Sequence, residues 1–305
     1  MTASPPTDRV VRIMNLLATG APGSGTVSRI AAELGLNRAT TTAVLAALES
    51  AGWVRRGADR SYTVGGGLVG IGEAARRSLA LPNGAREQLE ALAASVGGGV
   101  TMSLIEPGWL TVVEVAQGGA RVAGMAVGRR IPLVAPSGAA VMPWRDTCER
   151  SAWLATAAPA RRPMVTELLQ LVAEVGCAIW RPEQDEAVLT EVLTDLLEVV
   201  DEQLLRPHLR QRVLGQLTTL AGRPYSRAEL ASDDALPISY LAAPVFDEHG
   251  IARFEVQLGP LRAAVPRADR ERYVALLRET SAALTAASRG SAQVSAGPSS
   301  RPPAR

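Results

Sequence analysis

The sequence predicts an α+β chain, with a small helical module closed by a β-hairpin and joined through a helix to a larger mixed domain. Three observations carry this. Apolar residues recur at helical spacing through the first fifty positions, and the period changes to two between Trp53 and Val64. Beyond about residue 100, short alternating strands are interleaved with amphipathic helices. Charge divides the same way: residues 1–80 hold nine Arg against five acidic residues, and residues 81–305 hold 23 Arg against 25.

Taken in order, residues 1–8 read as a frayed end. A helix over 9–19 carries Val10, Ile13, Leu16 and Leu17 on one face. A second spans 27–34 and stops at Gly35. A third spans 38–51, with Asn37 as its N-cap, and stops at Gly52. Residues 53–56 and 61–64 form the hairpin, and 67–80 a linking helix. The larger domain opens with a helix at 85–96. Strands follow at 100–105, 110–115, 121–127 and 130–134, short helices at 137–144 and 148–157, a helix at 163–176 and a strand at 177–180. Residues 186–205 and 208–221 have helical periodicity. Ser226 and Glu229 stand at capping-box spacing. Strands at 239–246 and 251–258 flank a turn at 247–250, and a final helix covers about 267–287. The Ser/Pro/Gly/Ala-rich residues 289–305 read as a disordered tail.

Composition removes several functions. All 32 basic residues are Arg, so neither a phosphate-loop lysine nor a Schiff-base lysine is available. Cys148, Cys177, His208 and His249 lie too far apart for a structural zinc site. Gly65-Gly66-Gly67 falls in the hairpin-to-helix junction and Gly97-Gly98-Gly99 in a helix–strand turn, so neither reads as a phosphate cradle. No catalytic group, cofactor or metal is expected. With no signal peptide, membrane span or cysteine framework in view, the expected location is the cytoplasm.

The most informative constellation is residues 27–52. Ala31, Gly35 and Val44 stand at helix-turn-helix spacing: a small residue for close helix crossing, a glycine for positive φ, and an apolar lock on the second helix. The hairpin makes it a winged helix, whose second helix enters the major groove of DNA. Candidate DNA contacts are Asn37, Arg38, Thr40 and Thr42 on that helix, and Arg55, Arg56 and Arg60 on the wing.

TVSRIAAELGLNRATTTAVLAALESAGWVRR, SYTVGGGLVGIGEAARRS, VGRRIPL, LAAPVFDEHG and the later LGP occur in an order and spacing that resemble the IclR family of bacterial transcription factors. The resemblance implies a winged helix-turn-helix domain at 1–66, a linker helix at 67–83 and a GAF-like regulatory domain at 84–288. It also implies a homodimer or homotetramer on operator DNA, with DNA affinity shifted by a small-molecule effector. The chain departs from the family's pattern in three places. Ala43 and Ala46 stand where basic residues are usual on the recognition helix. The pocket segment reads Pro136-Ser137-Gly138-Ala139-Ala140-Val141 and lacks the family's lysine. An extra segment, 186–236, is inserted before the closing strands. Ser137, Gly138, Tyr240, Val256 and Leu258 are the candidate effector contacts, and they suggest an apolar or aromatic effector, organic acids included. The insertion could cover the pocket or form a subunit or partner contact. The alternative reading is an interaction protein that binds DNA weakly and recruits a partner through the insertion.

Overall fold

Helix α1 runs Pro5–Ala18, four residues earlier than the sequence suggests. A proline suits the first helical position because its missing N–H needs no partner there. The Asp8 amide already donates to Ser4 O at 3.0 Å. The structure, a computed structural model, describes residues 4–18, 25–118, 126–182 and 222–295, with side chains as far as Arg289. The helical segments expected at 186–205 and 208–221, and most of the strand expected at 121–127, lie outside the described residues.

The chain forms two compact units, residues 1–80 and 81–305. In the first, α2 (Val27–Leu34) ends on Gly35, whose φ of +62° lets its amide turn back to Ala31 O. That left-handed residue directs the chain into α3 (Arg38–Ser50). Ile13, Leu16 and Leu17 of α1 meet Ile30, Leu45 and Leu48 in one core. The hairpin β1 (Val54–Arg56) and β2 (Tyr62–Val64) closes it through Val54 and Tyr62. Gly65 lies against the Gly52 carbonyl, where a Cβ would come within 2.4 Å of the oxygen. The triple glycine is thus a packing junction leading into α4 (Gly67–Leu79).

The second unit opens with α5 (Ala85–Val96), β3 (Gly99–Glu106), β4 (Trp109–Gln117) and the short β5 (Arg130–Pro132). A single 3₁₀ turn at Met142–Trp144 precedes α6 (Thr147–Ala155) and α7 (Arg162–Val175). Strands β6 (Ala178–Arg181) and β7 (Arg223–Pro224), the capped turn α8 (Arg227–Leu230) and β8 (Leu236–Ile238) come next. The unit closes with β9 (Tyr240–Phe246), β10 (Ala252–Gly259), β11 (Arg262–Val265) and α9 (Arg267–Ser295). The seven-stranded sheet has the order β5-β4-β3-β10-β9-β6-β7, antiparallel throughout, and β8 pairs separately with β11. One expectation changes here. Helix α9 continues through Ser295, into the stretch read as tail. The last part of the segment expected as an insertion within this domain adds to its sheet: β7 pairs beside β6, and the Tyr225 hydroxyl donates to Pro237 O at 2.7 Å. Arg270 of α9, 3 % exposed, donates to the carbonyls of Leu230, Ser232, Asp234 and Val265, tying this part of the chain to the helix.

Register decides which residues share a face, because directly opposed residues of antiparallel strands point the same way. Gln257 faces Thr101 on one side and Ala242 on the other, and Glu255 faces Ser103 and Pro244. Ala178 faces Ala242, and Trp180 faces Tyr240. These residues form one face. It is covered by the segment 133–172, whose Leu133, Val141, Met142, Trp153 and Val165 cluster with Val112 and Trp180. Val256 with Met102 and Ala243, and Leu258 with Val100 and Leu241, form the other face. There Glu114, opposite Met102, meets Arg86 of α5 at 3.3 Å, and α9 packs over β9. Among the described residues, no helix is long and apolar enough to cross a membrane, and no group of three or more His, Cys, Asp or Glu is placed to hold a metal.

Candidate nucleic-acid interface and buried polar site

The first unit presents the N-terminal end of α3. Asn37 caps the helix: its side-chain oxygen accepts from the Ala39 amide at 2.8 Å. That oxygen is therefore engaged, and the amide –NH₂ of Asn37 is the part left for a ligand. Arg38, Ala39, Thr42, Ala43 and Ala46 are exposed, whereas Thr41 is buried. Thr42 donates its hydroxyl to Arg38 O at 2.9 Å, which leaves its lone pairs to accept. Thr40 is only half exposed. Arg38 is the cation on this helix surface.

The wing carries the other three arginines. Arg55 and Arg56 are exposed and adjacent on β1, so they point to opposite sides of the ribbon. Arg56 lies over the Tyr62 ring at 5.7 Å. Arg60 sits at the hairpin tip with φ +63°. Beside it, Asp59 accepts from the Ser61 amide at 3.1 Å and the Ser61 hydroxyl at 2.7 Å, and these bonds hold its carboxyl below the usual range. The wing tip is thus ordered by its own hydrogen bonds, leaving the arginine head groups toward solvent.

The second unit holds an unusual buried cluster on the covered sheet face. Glu255 is 1 % exposed, Ser103 is fully buried and Thr101 nearly so. Gln257 Nε2 donates to Glu255 Oε1 at 2.7 Å, and the Ala140 amide also supports the carboxylate. Among the described residues, Glu255 Oε2, Thr101 Oγ1, Ser103 Oγ and Trp180 Nε1 have no hydrogen-bond partner. Each such orphan costs about 1–3 kcal/mol. No arginine pairs with Glu255 among the described residues, and burial lifts its carboxyl to about 7. Tyr240 stacks on Trp180 with ring centroids 5.3 Å apart. Burial, and then the neighbouring Glu255 charge, push the Tyr240 hydroxyl well above its ordinary value.

The Ala140 contact brings the 136–141 segment against this cluster. Ser137 O accepts from Trp153 Nε1 at 2.9 Å. Gly138 has φ +80°, and a Cβ there would lie 2.5 Å from Leu133 Cδ1. Ser137 and Gly138 lie in this segment, and Tyr240 lies on the covered face. Val256 and Leu258 lie on the other face. Strand parity turns both to the α5/α9 side, and the residues that point toward the covered face are Glu255 and Gln257. An effector on the covered face would therefore meet Glu255 and Gln257 rather than Val256 and Leu258.

Residues 6–58 match the family model of the IclR helix-turn-helix domain. The first unit thus carries an IclR-type helix-turn-helix domain. No curated protein matches the sequence. Among solved structures, an IclR transcriptional regulator from Alicyclobacillus acidocaldarius is similar at 20 % identity and TM-score 0.57, covering 94 % of this chain and 100 % of its own. The Thermotoga maritima IclR is similar at 16 % identity and TM-score 0.52, covering 93 % and 98 %. An IclR homologue from Microbacterium hydrocarbonoxydans, complexed with 4-hydroxybenzoate, is similar at 18 % identity and TM-score 0.56, covering 93 % and 99 %. The chain thus has the IclR fold over most of its length. Within that fold, Thr101, Ser103, Trp180, Glu255 and Gln257 form a buried polar cluster that sequence reasoning did not single out. Their signal was present: 253–258 and 100–104 both alternate polar and apolar residues.

Proposed function

We propose that the chain is a non-enzymatic, cytoplasmic transcriptional regulator that binds operator DNA as a homodimer or homotetramer, its affinity set by a small effector in the second unit. The observation that carries the reading is the IclR helix-turn-helix domain with Arg38 exposed at the start of α3. In this geometry, Arg38 is available to guanine O6/N7 or a phosphate, and Asn37, Thr40 and Thr42 add polar contacts. Arg55, Arg56 and Arg60 would take phosphates or the minor groove. A self-associating chain is supported by α4, which buries no residue and exposes Val69 and Ile71. The effector part is supported by the unsatisfied buried cluster, and by the small-molecule complex of the similar Microbacterium protein. Ser137, Gly138 and Tyr240 are proposed to border the ligand.

The test is fluorescence anisotropy with the promoter DNA beside the protein's own gene, at two salt concentrations. A phosphate-anchored reader weakens steeply as salt rises. Absent or salt-independent binding would exclude the reading.

A further inference from the structure

The buried cluster has a definite chemical bias. Glu255 is an acid without a cation, and burying an unpaired charge is costly. Ser103 lies directly across from it, and Thr101 lies one row along the same face. Opposed residues bring their Cβ atoms to about 5 Å, and diagonal ones to about 7 Å. The unpartnered atoms Glu255 Oε2, Ser103 Oγ and Thr101 Oγ1 are thus three acceptors in one small area. Arg145, on the segment that covers this face, turns its Nη2 to Ile105 O at 3.1 Å and to Glu149 at 3.0 Å. On the other side of Gln257 the opposed Ala242 and Ala178 are small, and one row beyond them stand the stacked rings of Trp180 and Tyr240.

We infer that this face binds a small organic amine in its protonated form, its ammonium on Glu255 Oε2 and on the Ser103 and Thr101 hydroxyls. An ammonium has three N–H donors, which matches the three acceptors. The organic part lies over Ala178 and Ala242 against the Trp180–Tyr240 pair, whose rings offer it apolar contact. Trp180 Nε1 can only donate, and takes an acceptor on the far end of the ligand. A carboxylate ligand is disfavoured because it would place a second negative charge beside Glu255. This inference rests on the effector reading above, and sharpens it by naming the ligand's charge.

The experiment is isothermal titration of the full-length protein with benzylamine, benzyl alcohol and benzoate, three ring compounds of matched size that differ in charge. DNA binding is measured on the same preparation. Benzylamine is expected to bind most tightly. Glu255→Gln, which preserves shape, should weaken it by about tenfold or more, since hydrogen bonds to charged groups are worth about 1.5–3 kcal/mol. Ser103→Ala gives a second, smaller loss, and circular dichroism checks that both variants fold. A preference for benzoate or benzyl alcohol, binding of none of the three, or unchanged amine affinity in Glu255→Gln overturns the inference. If DNA binds and the amine does not, the regulator reading stands and the amine site falls; the reverse result separates them the other way.

Discussion

Glu255 and Ser103 stand opposite each other across the β10–β3 pair, both buried, and each keeps a side-chain oxygen without a partner among the described residues. A folded chain tolerates few such groups. Their presence side by side on the best-protected strands marks a place where stability has been given up.

That loss has a pH signature. Glu255 has its ordinary value of 4.5 when unfolded and about 7 when folded. Below 4.5 both states are protonated, and the group costs nothing. As pH rises from 4.5 to 7, the unfolded chain releases the proton first, so folding stability falls; above 7 the loss is complete, at about 3 kcal/mol. Tyr240, the neighbouring titratable group, is raised well above 10 and stays silent here. Urea unfolding of Glu255→Gln should therefore show a growing advantage over wild type from pH 4.5 to 7.5. A constant difference across that range contradicts the account.

On the DNA side, Arg38→Ala should cost about 1–3 kcal/mol of specific binding if the side chain reads a base. Asn37→Ala should lower thermal stability by about 1 kcal/mol through the lost cap, whether or not DNA is present. Asn37→Ser restores the cap and should recover the stability. If Asn37→Ser also recovers full DNA affinity, the Asn37 –NH₂ makes no contact.

Arg270 predicts a fold-stability effect. Its guanidinium satisfies four backbone carbonyls from the 230–234 and 265 regions. Arg270→Met removes these donors and strands their acceptors, which should cost about 2–4 kcal/mol by chemical denaturation. Lysine cannot reproduce the planar fork, so Arg270→Lys should rescue only part of it. An unchanged midpoint in Arg270→Met would show that the carbonyls find other partners.

The two thiols should differ in reactivity. Cys148 is exposed, whereas Cys177 is 1 % exposed and burial pushes its thiol up to about 11. Thiolate is the reacting form. Native protein should titrate one fast thiol with a chromogenic disulfide, and Cys148→Ser should abolish it. Two fast equivalents would indicate that Cys177 opens readily to solvent.

The helix-turn-helix was legible because its rules are local. Gly35, Asn37 and the apolar spacing of α2 and α3 act within a few residues, and each plays the structural part its type suggests. The same holds for Ser226 and Glu229, which form the capping box. The strands β7, β8 and β11 were not legible, because each is four residues or fewer and owes its existence to a distant partner. The polar site failed for another reason. The alternation of 253–258 reads as a half-exposed strand, and the tertiary cover from 133–172 buries Glu255 and half-buries Gln257. The sequence supplied the parity, but not which face meets the cover.

That cover also bears on how quickly a ligand of this face could bind. With Glu255 at 1 % exposure and the 136–141 segment against it, a small molecule cannot arrive by simple diffusion onto an open surface. Arrival must wait for the covering layer to part, a step slower than encounter itself. At high ligand concentration the observed binding rate should level off at the opening rate, so the speed of uptake would be a property of the fold and not of the dose.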